Sequence, residues 1–243
     1  SASSRGERVD DRLAARGASG IEGGMRIDRM PEIDRAVPAA TRTACFALGC
    51  YWEPEGMYGG TAGVVGTRVG FAGGDYPNPT YHKLVDHRET VEVRYDPSVV
   101  AYEDLVRVFW HAHNPGWAGV LLRFAAALFY TGEDERRIAN ELAEERARED
   151  DKVIRTPVMP LSVFHPADAS HQKHYLRGER ELVSEFREIY PQPWAFTRST
   201  ATARVNAVLA GHGEPPMIRE EIGSYGLSRA GRERVLRRLE QRG

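Results

Sequence analysis

From Thr43 to Phe164 the apolar residues switch repeatedly between a period of two and a period near 3.6, and that switching most constrains the fold. In "ETVEVRYDP", Val91, Val93 and Tyr95 alternate with Glu92 and Arg94 until Asp96-Pro97 stops the pattern, which predicts a half-buried strand. The next stretch, "SVVAYEDLVRVFWHAHNP", sets Leu105, Val108 and Phe109 at i, i+3, i+4, an amphipathic helix ended by Asn114-Pro115. Upstream, "TACFALGC" is a short apolar run ending at Gly49, consistent with a buried strand, and "VVGTRVGFAGG" is a glycine-interrupted strand. Downstream, "FAAALFY" predicts another strand, Glu133 to Asp151 a solvent-facing helix with Ile138 and Leu142 inward, and "TPVMPLSVFHPA" a last strand.

The texture then changes. "SHQKHYLRGERELVSEFREIY" reads as one or two helices. Beyond Pro193, "STATARVNAVLAGHG" predicts a helix capped by Ser199 or Thr200 and stopped by Gly211, with two further helices after it. Strands mixed with helices, followed by helices alone, predict an α/β core with a helical C-terminal extension. The expected boundaries are a mobile tail over 1–40, a catalytic domain over 41–193 and the extension over 194–243.

Lys and Arg number 33 against 35 Asp and Glu in 243 residues, so charge gives no reason to expect nucleic acid or an anionic membrane as partner. The two cysteines, Cys45 and Cys50, exclude a disulfide framework and fit a reducing, cytoplasmic setting. No run approaches the roughly 18 apolar residues of a membrane span, and the N-terminal stretch has no apolar signal region.

Cys45 lies inside an apolar run, where a free cysteine is usually a packing residue. Cys50 follows Gly49 and precedes "YWEPEG", so a strand, a tight turn and a helix start place it at a helix N-terminus. Free backbone N–H groups and the helix dipole there lower a thiol's pKa, which predicts a reactive thiolate.

"GCYW", "GVVGTRVGFAGG", "NPTYHKL", "HRETVEVRYDPSVVAYEDLVRVFWHAHNP", "ALFY" and "SHQKHYL", in this order, resemble the A-type peptide methionine sulfoxide reductases from about Thr43 to Leu176. "STATARVNAVLAGHG" is similar to the extension of a branch of that family lacking C-terminal resolving cysteines. The resemblance implies a two-layer α/β sandwich with a ferredoxin-like core, no bound cofactor, and reduction of methionine S-sulfoxide, free or in peptides. A sulfoxide sulfur accepts a thiolate only if its oxygen is protonated on leaving, so the chemistry needs a nucleophile, an acid and a pocket for the S-methyl group. The resemblance assigns Cys50 as nucleophile, Glu89 as acid, Tyr81 as an oxygen-binding tyrosine, and Tyr51 and Trp52 as pocket walls.

The pattern breaks in "NPGWAGVLLRFAAALFY". Aligned on Phe129-Tyr130, the family's second oxygen-binding tyrosine becomes Phe124, and its aspartate falls near Gly119. Losing one such donor costs about 2.7–4 kcal/mol of transition-state stabilisation. The alternative expectation is therefore a cysteine enzyme for another small sulfur-containing metabolite; a non-catalytic module that holds Met-like side chains is a third reading.

Attack leaves Cys50 as a sulfenic acid that a second thiol must reduce. The spacer from Cys45 spans about 16 Å when extended, against the 4.4–6.8 Å Cα separation of a disulfide, so pairing would need the strand end to unravel. The expected reductant is an external thiol: thioredoxin, glutaredoxin or a low-molecular-weight thiol. His171 and His174 have helical metal-ligand spacing, but the resemblance makes their segment structural, and no metal is expected.

Overall fold

The computed structural model describes residues 30–117, 119 and 121–241. Most of the expected tail, residues 1–29, lies outside them. The core runs β1 (Arg42–Ala47), α2 (Trp52–Gly59), β2 (Val64–Ala72), β3 (Arg88–Tyr95), α3 (Tyr102–His111) and β4 (Ala127–Tyr130), after a short α1 (Glu32–Arg35). β1 pairs antiparallel with both β3 and β4, and β2 with β3. The resulting order β4-β1-β3-β2 from a βαββαβ chain is the ferredoxin-like arrangement.

Period-two patterning divides the sheet's faces. Phe46, Val91, Val93, Tyr95 and Leu128 turn to one face and meet Tyr58 of α2 and Leu105, Phe109 and Trp110 of α3. Ala139 and Leu142 of α4 (Glu133–Asp150) close the same core. Cys45, Ala47, Ala72, Ala127 and Phe129 form a smaller cluster on the other face.

The segment predicted as one last strand, "TPVMPLSVFHPA", is instead two short strands on opposite sheet edges. β5 (Val158–Pro160) pairs parallel with β4, and β6 (His165–Pro166) pairs antiparallel with β2. Pro160 and Pro166 have no N–H to donate, which suits them to short edge pieces.

The C-terminal part is helical: α5 (His174–Arg177), α6 (Arg180–Ile189), α7 (Pro193–Arg198), α8 (Thr200–Ala210), α9 (Pro215–Glu221) and α10 (Arg229–Glu240). Ser199 caps α8 by accepting from Thr202 N, and Gly211 ends it at φ 97°. Leu182, Phe186, Val205, Val208, Ile218 and Val235 share a second core. α8 also lies directly on α2: a Cβ on Gly59 would sit 2.8 Å from the Ala203 carbonyl oxygen, so the approach requires glycine. Arg204 of α8, itself buried, donates to Gly59 O at 2.6 Å and pairs with Glu221 at 3.0 Å. Residues 30–40 of the expected tail are held to this part. Asp34 accepts from Thr200 N at 2.5 Å, from Ser199 Oγ at 2.9 Å and from the Tyr190 hydroxyl. Among the described residues, no helix is long and apolar enough to cross a membrane.

Candidate active site

The site forms where β1 hands over to α2. Gly49 takes φ +77°, a conformation that favours glycine, and turns the chain so that Cys50 emerges exposed just ahead of Tyr51 and Trp52. Glu89, near the start of β3, shares a face with Val91 and Val93, and its carboxylate is buried at 1% exposure. Its Oε2 accepts the Tyr51 N–H at 3.2 Å, which ties the acid to the turn that carries the thiol.

The Cys50 thiol lies close enough to Glu89 for the carboxylate to act on it. Partial burial pushes this thiol up from its ordinary value, and the negative Glu89 pushes it further; the Trp52 backbone N–H and the Arg123 guanidinium pull it down. The helix-start effect expected from the sequence is present in that N–H, but burial and Glu89 outweigh it. The surroundings of Cys50 favour the protonated thiol over the thiolate.

Tyr51 is fully buried, its hydroxyl bonds no described residue, and its ring lies 6.0 Å from Phe71 and 6.2 Å from Trp52. Desolvation pushes the Tyr51 hydroxyl well up, with Glu89, Tyr81 and Cys50 adding to it. The histidines weighed as metal ligands are used for stacking. His174 lies parallel to Trp52 at 3.7 Å, and His171 stands 4.4 Å from the Tyr81 ring and 6.3 Å from Trp52. Tyr51, Trp52, Tyr81 and Phe71 thus form one aromatic wall beside Cys50.

Phe124 ends a 3₁₀ turn, Leu122–Phe124, and is 39% exposed. Its neighbour Arg123, missed by the sequence reading, reaches into the site. Arg123 Nη2 and Nε donate to Glu89 Oε1 at 2.5 and 3.2 Å, and the guanidinium lies 4.9 Å from the ring centres of both Tyr81 and Phe124. Gly119, where the family's aspartate was expected, sits at φ +78° beside Ala125.

Two supporting networks were also missed. Glu55 and Lys173, both with fully buried side chains, pair at 2.8 Å, while Lys173 N donates to Glu55 Oε2 at 2.8 Å and Nζ to Thr67 O at 2.6 Å. Gln172 mimics a strand partner for β2, accepting from Val69 N and donating to Val69 O, both at 2.8 Å. Together they fasten the 171–174 segment, and with it His171 and His174, against the aromatic wall. Tyr175 and His212 both bond Glu53 on the first turn of α2, at 2.7 and 2.6 Å.

A family model described as peptide methionine sulfoxide reductase matches residues 42–194. A peptide methionine sulfoxide reductase of Drosophila melanogaster is 34% identical over 82% of this chain and 80% of its own length. Peptide methionine sulfoxide reductase A5 of Oryza sativa subsp. japonica is 37% identical over 72% of this chain and 70% of its own. Among solved structures, methionine sulfoxide reductase A of Corynebacterium diphtheriae superposes with a TM-score of 0.51 at 32% identity, covering 60% of this chain and 78% of that one.

Proposed function

Because this chain belongs to the peptide methionine sulfoxide reductase family, we propose that it reduces the S-epimer of methionine sulfoxide at Cys50, with Glu89 carrying the proton. The observation that supports this most is the juxtaposition of an exposed thiol with a buried carboxylate tied to the next residue's N–H, beside an aromatic wall. The S-methyl group lodges against Tyr51 and Trp52, and the oxygen points toward Glu89 and Tyr81.

Glu89 takes the thiol proton as sulfur attacks the substrate sulfur, then delivers it to the departing oxygen. The S–O bond of the substrate and the transient bond between the two sulfurs break, and the oxygen ends bonded to Cys50 as a sulfenic acid: thiol plus sulfoxide gives sulfenic acid plus thioether. Cys50 sulfur loses two electrons and the substrate sulfur gains them. Two external thiols then return Cys50 to the thiol, forming a disulfide and water.

Cys45 is poorly placed to resolve the sulfenic acid. It is 2% exposed in β1, paired with Glu92 on one side and Phe129 on the other, and burial pushes its thiol far up. An external thiol, either thioredoxin, glutaredoxin or a small molecule, therefore acts directly on Cys50.

The test is incubation with each sulfoxide epimer and dithiothreitol, following methionine formed. Turnover of the S-epimer, abolished in Cys50→Ser, is expected. Stoichiometric Cys50 modification by another sulfur compound without sulfoxide turnover would overturn the reading.

A further inference from the structure

A sulfoxide oxygen carries much of the S–O dipole's negative end, and an ionised carboxylate alone repels it. Something cationic or hydrogen-donating must face that oxygen while Glu89 handles the proton. Tyr81 supplies one hydroxyl, but Phe124 offers no second one, and the Tyr51 hydroxyl is fully enclosed. Arg123 meets the requirement geometrically. Only its Nε and Nη2 are used on Glu89 Oε1; Nη1 bonds no described residue, the side chain is 30% exposed, and the guanidinium is near enough to Cys50 to act on its thiol.

On the site reading given above, we infer that Arg123 is a further catalytic residue, whose guanidinium binds the sulfoxide oxygen through Nη1 while its other edge holds Glu89. The geometry makes this a preorganised donor. A planar fork anchored on a buried carboxylate and lying against the rings of Tyr81 and Phe124 loses little freedom when substrate arrives. Phe124 then has a use: its ring supports the cation that does the work a hydroxyl at 124 would otherwise do. Arg123 gives up no proton. It stabilises the charge that builds on oxygen as Cys50 attacks, and the proton still comes from the thiol through Glu89.

The experiment is a single-turnover assay without reductant, measuring methionine formed per enzyme, alongside steady-state kcat and KM with dithiothreitol. Removal of the donor in Arg123→Met lowers the single-turnover rate roughly 10²-fold, with the loss in kcat rather than KM. Arg123→Lys, which keeps the charge but not the fork, loses roughly tenfold. Phe124→Tyr restores roughly tenfold or more in the Arg123→Met background, a gain at least about fivefold larger than whatever effect the same substitution has in wild type, because there one donor replaces another.

Rescue specific to that background is the outcome a merely structural arginine cannot give. Arg123→Met at or above the wild-type rate, or the same Phe124→Tyr effect in both backgrounds, overturns the inference. If Arg123→Met does not fold, Arg123→Lys decides: an unchanged rate refutes it. Absence of S-epimer turnover in wild type would instead sink the underlying reading, and Cys50→Ser marks that baseline.

Discussion

The Glu55–Lys173 pair is the strongest test of how the site is held together. Both side chains are fully buried, and the pair joins α2, directly after the Cys50 turn, to the segment that supplies His171 and His174. Lys173→Met keeps the length and apolar stem of the side chain but leaves a buried carboxylate without its cation. Breaking such a pair from one side costs about 3–5 kcal/mol, since the remaining charge keeps its desolvation penalty and loses its compensation. At about 2–4 °C per kcal/mol for a chain of this size, the melting temperature should fall by about 6–20 °C.

A second substitution separates charge from packing. In Glu55→Gln/Lys173→Met the carboxamide oxygen still accepts the Lys173-position backbone N–H, now without a buried charge. The double variant should recover about 1–3 kcal/mol relative to Lys173→Met alone. Urea denaturation followed by tryptophan fluorescence gives both free energies and a thermal melt the temperature shift, with Trp52, stacked on His174 at 3.7 Å, one of four contributing tryptophans. A Lys173→Met melting temperature within about 2 °C of wild type, or further loss on adding Glu55→Gln, would refute the reasoning.

Three other outcomes follow from named contacts. Because burial and Glu89 push the Cys50 thiol up, its alkylation by iodoacetamide should be slow at neutral pH and rise through an inflection above the ordinary thiol value; Glu89→Gln should move the inflection down and Arg123→Met up, as measured by mass-spectrometric rates against pH. Cys45→Ser should leave dithiothreitol-dependent turnover within about twofold of wild type, since a buried, doubly paired strand residue takes no part in resolving the sulfenic acid. Gly59→Ala should cost about 1–3 kcal/mol by overpacking against the Ala203 carbonyl oxygen, seen as a lower urea midpoint.

What the sequence made legible was local. The strand, turn and helix around Cys50 follow from an apolar run, Gly49 and "YWEPEG", and β3 follows from strict alternation. Contacts across long separations carry no such period. Glu89 and Arg123 lie 34 residues apart and Glu55 and Lys173 118, so neither pair leaves a mark in a window of single-chain patterning. Arg123 in particular stood in "VLLRFAAALF", where the apolar surroundings drew notice to Phe124 and left the cation beside it unread. "TPVMPLSVFHPA" failed for a related reason: its composition is strand-like throughout, but only the sheet's two free edges decide that it splits.

The thiol's direction of shift shows how such a distant contact changes the chemistry. Position at a helix start argues for a thiolate, and the Trp52 N–H supplies that effect, yet Glu89 and burial reverse the sign. A thiol that keeps its proton until substrate binds is poorly reactive toward stray oxidants and alkylating agents. In the reaction proposed for Cys50 and Glu89, that same proton is the one the departing oxygen needs, so nucleophile and acid would draw on a single proton. A cation at 123 keeps that arrangement workable, because it offsets the carboxylate both for the attacking sulfur and for the incoming oxygen. Loss of the hydroxyl at 124 is then part of the same arrangement: a site with Arg123 in place has its donor already, one residue earlier in the chain.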